Sequence, residues 1–207
     1  MKNILKKMKD TRELVAVYYK STNGTYTGFV RELDDEFILF ELVSPNGRAD
    51  GFTLVRLDEI LKMDARTSYL RSLAKVYAYY GDPPQPIKLK GKDLLLAFLD
   101  WACKNAWLST MMLGFETIEK ISGFIIGRDW NALTVRLVGE NGEDDGFTRF
   151  EYEDLVSVSA CTEFEKYLAV LYEIANDNPE PPKKKRAKED GNDTPSDENV
   201  LSFPFGK

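Results

Sequence analysis

The chain has 207 residues, 43% of them hydrophobic and 30% charged, which is enough apolar content for a packed core and too much for a disordered polymer. With 28 basic against 34 acidic residues the net charge is -6, which argues against a protein whose main work is gripping phosphate backbones. Histidine is absent, and that excludes Ser-His-Asp and Cys-His catalysis, His-ligated zinc and imidazole proton shuttles.

In chain order, NILKKMKD (3–10) has helical spacing, and no apolar stretch of secretory length lies near it, so neither a signal peptide nor secretion is expected and the location predicted is cytoplasmic. Runs rich in β-branched and aromatic residues follow: LVAVYYK (14–20), TYTGFVREL (25–33), FILFELV (37–43), DGFTLVRL (50–57) and ILKMDA (60–65), each predicted as a strand. Between them Asn23-Gly24, Asn46-Gly47 and Asp50-Gly51 are the dipeptides that supply positive φ in hairpin turns. SYLRSLAKVYAYY (68–80) then reads as an amphipathic helix. GDPPQPIKLKGKD (81–93) breaks both periodicities and reads as a connector. Beyond it the helix DLLLAFLDWACKN (93–105), further strands and the helix EFEKYLAVLYEIA (163–175) are predicted. From residue 177 the composition becomes polar and aperiodic, as expected of a disordered tail that ends in the apolar segment LSFPFGK.

The chain contains one unit twice. Displaced by 95 places, residues 27–60 fall on 122–155 without a gap, matching Gly28 to Gly123, Phe29 to Phe124, Asp34 to Asp129, and Asp50-Gly51-Phe52-Thr53 to Asp145-Gly146-Phe147-Thr148. The register continues into the closing helices, where Tyr69, Leu73 and Val76 meet Phe164, Leu168 and Leu171. The predicted organisation is a first unit over 1–80, a linker over 81–93, a second unit over 94–176 and a tail over 177–207, each unit being one helix, five short strands and one helix.

The spacing Gly28-x-Val30-x-x-Leu33-Asp34 before Phe37-Ile38-Leu39 resembles the first signature of the Sm-like family, as does Gly123-x-Ile125 with Asp129 and Leu133. Leu54-Val55-Arg56 before Asp58 and Ile60 resembles the second. The resemblance implies a mainly β fold of two tandem Sm-like five-stranded barrels with flanking helices. It also implies oligomeric rings that bind short single-stranded RNA through an Asp, an Asn four residues on, and an Arg-Gly pair. Carried across, Asp34, Asp129 and Arg56 are the candidate RNA-contacting residues. The Asn position holds Ile38 in one unit and Leu133 in the other, Leu57 follows Arg56, and the second unit has Glu151 and Tyr152 there. An aliphatic side chain cannot replace the amide that pairs with a base, so the expectation is an inherited fold without the family's RNA pocket. Fused units could pair with each other as a monomer or build a ring from half as many chains.

Glu143, Asp144 and Asp145 lie in a turn without the spacing of a calcium loop, and Asp34-Asp35-Glu36 and Glu153-Asp154 are adjacent acids at strand turns rather than a converging catalytic pair. No phosphate loop, nucleophile elbow or metal-ligand cluster is present in the sequence, so no enzyme activity, cofactor or metal is expected. Cys103 and Cys161 are read as small, partly buried apolar residues. Trp130 takes the place of Asp35 at a predicted turn and is a candidate contact residue. The basic run at 181–186 resembles a nuclear-import signal and is read as a solvated linker. Leu201, Phe203 and Phe205 form an apolar peptide after a polar spacer, suited either to docking on another protein or to folding back on this one. Together these features predict a non-catalytic adaptor that engages a protein partner; the alternative is an RNA-binding protein using another face, with the lysine-rich start (Lys2, Lys6, Lys7, Lys9) and exposed aromatics.

Overall fold

A computed structural model describes residues 1–20, 24–83, 86–114 and 118–177. The first half consists of helix α1 (Lys2–Thr11), strands β1 (Leu14–Tyr19), β2 (Thr25–Leu33), β3 (Phe37–Val43), β4 (Ala49–Arg56) and β5 (Ile60–Ala65), and helix α2 (Ser68–Tyr80). The second repeats this order with α3 (Leu94–Lys104), β6 (Leu108–Gly114), β7 (Ile118–Arg128), β8 (Ala132–Val138), β9 (Asp144–Glu151), β10 (Leu155–Ala160) and α4 (Glu163–Asp177). One turn of 3-10 helix joins β4 to β5 and another joins β9 to β10. The helix boundaries follow from local chemistry. Thr67 caps α2 by accepting from the Leu70 N–H, Asp93 caps α3 through the Leu96 N–H, and Thr162 and Glu165 make a reciprocal capping box at the start of α4. None of the described helices is long and apolar enough to cross a membrane.

All the strands belong to one antiparallel ten-stranded sheet in the order β5-β1-β2-β3-β4-β10-β6-β7-β8-β9. The fold is therefore mainly β, but the expectation of two closed barrels is not met, because the sheet is open. β4 does not return to β5 of its own half; it pairs with β10 of the other, with Val55, Leu54, Thr53 and Phe52 opposite Ser157, Val158, Ser159 and Ala160. The first half also has an interior of its own. Leu5, Val15, Val30, Ile38, Phe40, Val55 and Ile60, from α1 and all five strands, share one apolar cluster in the first half.

The pairing of β4 with β10 is also a hydrophobic interface. Phe37, Leu39, Phe52 and Leu54 of the first half lie in the same core cluster as Leu95, Phe98, Leu99, Met111 and Leu133 of the second. This explains why β3 is buried at every position: Ile38, Phe40 and Leu42 face the first half's interior while Phe37 and Leu39 face α3. Exposing a side chain of this size costs roughly 1.5–3 kcal/mol, so the halves are held by a continuous core rather than by the ladder alone.

Asn46-Gly47 is a turn as predicted, with Gly47 at φ 76 and its N–H donating to the Ser44 carbonyl at 2.8 Å. Asp50-Gly51 is not. Gly51 (φ 71) lies inside β4, where two residues oppose the single Leu42, a bulge that needs the same left-handed glycine as a turn. Asn23 lies outside the described residues. Gly28 and Gly123 serve close approach: a Cβ there would sit 2.2 Å and 2.0 Å from the carbonyl oxygens of Glu41 and Arg136 on the neighbouring strands.

Candidate binding surface

The residues that resemble an RNA pocket are engaged in the fold. Asp34 accepts from the Glu36 and Phe37 N–H groups (2.9 and 2.8 Å) at the β2–β3 turn, and its other oxygen accepts from the Leu94 N–H (3.0 Å) at the start of α3. Arg56 forks onto Asp58 at 3.2 Å and donates to the Glu153 carbonyl at 2.8 Å, bridging the two halves. Asp129 repeats the turn by accepting from Asn131 and Ala132, and its second oxygen pairs with Arg149, which holds the carboxyl below its usual range. Ile38 and Leu133, at the position of the family's Asn, are core residues with no exposed surface.

Trp130 stands 88% exposed between β7 and β8. Leu201, Phe203, Phe205 and the basic run at 181–186 lie outside the described residues. Glu143 and Asp144 accept from the Asn141 and Gly146 N–H groups, the local bonding of a turn. Cys103 is exposed and Cys161 buried, both as free thiols, and burial pushes the Cys161 thiol up to about 11.

Sequence reasoning missed the surface formed where the halves join. A groove of about 410 Å³ runs over the β4–β10 junction, with Tyr26, Leu42, Tyr69, Met112 and Phe164 among its walls. Tyr19 stacks on Tyr26 with ring centroids 4.9 Å apart, and the Lys120 ammonium sits 4.0 Å from the centre of the Phe164 ring. Asp50 lines the groove floor and accepts from the Glu163 N–H at 2.7 Å, capping α4 from the opposite half; burial raises its carboxyl pKa.

From Phe164 the apolar surface continues along the outer face of α4. Phe164, Tyr167, Val170 and Ile174 are all exposed, while Leu168 on the inner face is buried. On α2, Tyr69, Val76, Tyr79 and Tyr80 are likewise exposed. The signal in the sequence is arc width: at 100° per residue the apolar positions of α4 span more of the helix than one core contact can cover. Such a surface, apolar and bordered by Asp50, Glu163 and Lys166, can hold an apolar segment of another molecule and orient it by a few polar contacts. No protein-family model matches the chain, and no curated protein matches it.

Proposed function

We propose that this is a non-catalytic binding or adaptor protein that engages a protein partner through its tandem Sm-like units, with the C-terminal peptide (Leu201, Phe203, Phe205) as a second docking element. The observation that carries the reading is the exposed apolar stripe of α4 running into the groove at the junction of the halves. Side chains of this kind, left in water on a folded helix, mark interaction surfaces. The order of helix, five strands and helix in each half supports the Sm-like reading. The engaged Asp34 and Arg56 and the core positions of Ile38 and Leu133 speak for a protein rather than an RNA in that family's pocket.

The test is a pull-down from the native cell with full-length protein and mass-spectrometric identification. Tyr167→Asp/Val170→Asp is expected to lose the partners that the wild type retains, and deletion of residues 199–207 to weaken them. An unchanged partner list in both would overturn the reading. A second reading, RNA contact through Trp130 and the α1 lysines, is favoured by the exposure of Trp130. It requires salt-dependent retention of single-stranded RNA that Trp130→Ala reduces, and no binding at low salt removes it.

A further inference from the structure

A second groove, of about 510 Å³, runs beside α4 against the turn that joins α3 to β6. Its walls are apolar: Trp107 and Leu108 from the turn and the start of β6, Phe124 from β7, and Ala169, Val170 and Tyr172 from α4. Trp107 is 41% exposed, with its ring 6.4 Å from that of Trp101, while Phe124 and Tyr172 meet edge to face at 5.1 Å.

The first half closes the equivalent place. Glu13 and Trp107 each stand just before the first strand of their half, and Arg66 and Cys161 each follow the fifth, in the left-handed region at φ 58 and 62. Arg66 forks onto Glu13 at 2.6 and 2.7 Å. Arg12 stands 5.7 Å from the centre of the ring of Phe29, the residue that matches Phe124. In the second half the ion pair is exchanged for Trp107 and Cys161, and Lys75 for Val170. The apolar groove thus opens beside the helix that leads into the C-terminal tail.

We propose that the chain's own C-terminal segment, Leu201 to Phe205, occupies this groove in cis. In an extended backbone, which Pro204 favours for Phe203, side chains alternate, so Leu201, Phe203 and Phe205 share one face while Ser202 and Pro204 take the other. That face is about 13 Å long from Leu201 to Phe205, and the wall of α4 from Glu165 to Glu173 is about 12 Å long. Phe203 and Phe205 bring their rings to Trp107, Phe124 and Tyr172. Reach is sufficient. The 23 residues between Asp177 and Leu201 span roughly 24–29 Å as a flexible spacer, and α4 itself is about 22 Å long. Tethering at this length sets an effective concentration of roughly 1 mM, at which a contact with a Kd of about 0.1 mM holds about nine-tenths of the chains closed. The inference needs no partner; a partner that takes the C-terminal peptide has to draw it out of this groove.

Paramagnetic broadening of amide signals in the full chain tests this. A nitroxide is placed at Ser202→Cys, on the face turned away from the groove, in a Cys103→Ser background. Cys161 is buried, with its thiol pushed up to about 11, and does not take the label. The amides of Trp107, Leu108, Val170 and Glu173 are expected to broaden several-fold more than when the same labelled chain also carries Phe203→Asp/Phe205→Asp, changes that lie outside the described residues. Trp107→Glu/Cys161→Arg, which rebuilds the first half's ion pair in the groove, is expected to abolish that difference. Mixing nitroxide-bearing chains with isotope-labelled chains that lack the nitroxide should leave these amides sharp, because the contact lies within one chain. Broadening no greater than in the Phe203→Asp/Phe205→Asp chain, broadening that survives in the Trp107→Glu/Cys161→Arg chain, or broadening that appears in the mixture overturns the proposal.

Discussion

Replacing Gly51 with alanine is expected to destabilise the fold by roughly 3–4 kcal/mol, and the same change at Gly146 by only about 1 kcal/mol. Both glycines hold a left-handed conformation, so the backbone strain of adding a Cβ is common to the two. They differ in what the Cβ meets. At Gly51 it would lie 2.4–2.5 Å from the carbonyl carbon and oxygen of Cys161 and the nitrogen of Thr162, backbone atoms that cannot turn aside as a side chain can. Strand β4 would have to draw back from β10, opening the core around Phe52 and Leu54. At Gly146 the space is empty. Urea unfolding at a concentration where the chain is monomeric separates the two cases; equal losses would mean that the junction is not packed at Gly51.

The second large effect concerns a buried charge. Glu41 on β3 is fully buried and accepts from Arg31 at 2.9 Å, with Arg12 at 4.0 Å. Arg31 is the extra residue of a bulge in β2. Arg31→Ala is expected to cost about 3 kcal/mol because it takes the guanidinium at 2.9 Å away from a buried acidic side chain, whereas Arg31→Met/Glu41→Leu should recover most of that loss. Urea midpoints of the wild type and the two variants check this. If Arg31→Ala falls within a few tenths of a kcal/mol of the wild type, the pair does not hold Glu41 in place.

The elements were legible because their periodicities are strong and local. β2, β3, β5 and α2 occupy the residues that alternation and helical spacing assign to them, and Thr67 and Asp93 mark helix starts by chemistry visible in the chain. Strand partnership was harder to read. Choosing β10 rather than β5 as the neighbour of β4 depends on contacts more than 100 residues apart, such as the Ser159 hydroxyl on Thr53 at 3.0 Å. A clue did exist in the differences between the repeats: Phe37, Leu39 and Leu54 become Ala132, Thr134 and Arg149, marking which edge is covered and which faces water.

The same locality limited the reading of Asp34 and Arg56. Their spacing resembles a binding motif, but their partners, the Leu94 N–H and the Glu153 carbonyl, belong to the other half of the chain. Asp50-Gly51 misled for a related reason, since a bulge and a hairpin make the same demand on glycine. The α4 surface was legible in composition but not in role, because an apolar position on a helix does not reveal whether anything covers it.

The central claim is that the two repeats are joined through β4 and β10 into one sheet, leaving β5 and β9 as its edges. Amide hydrogen exchange tests this most directly. The outward-facing amides of Phe52 to Val55 and Ser157 to Ala160 should exchange only through global unfolding, while the outward-facing amides of β5 and β9 exchange far faster. Exchange in β4 and β10 as fast as at those two edges would contradict the account.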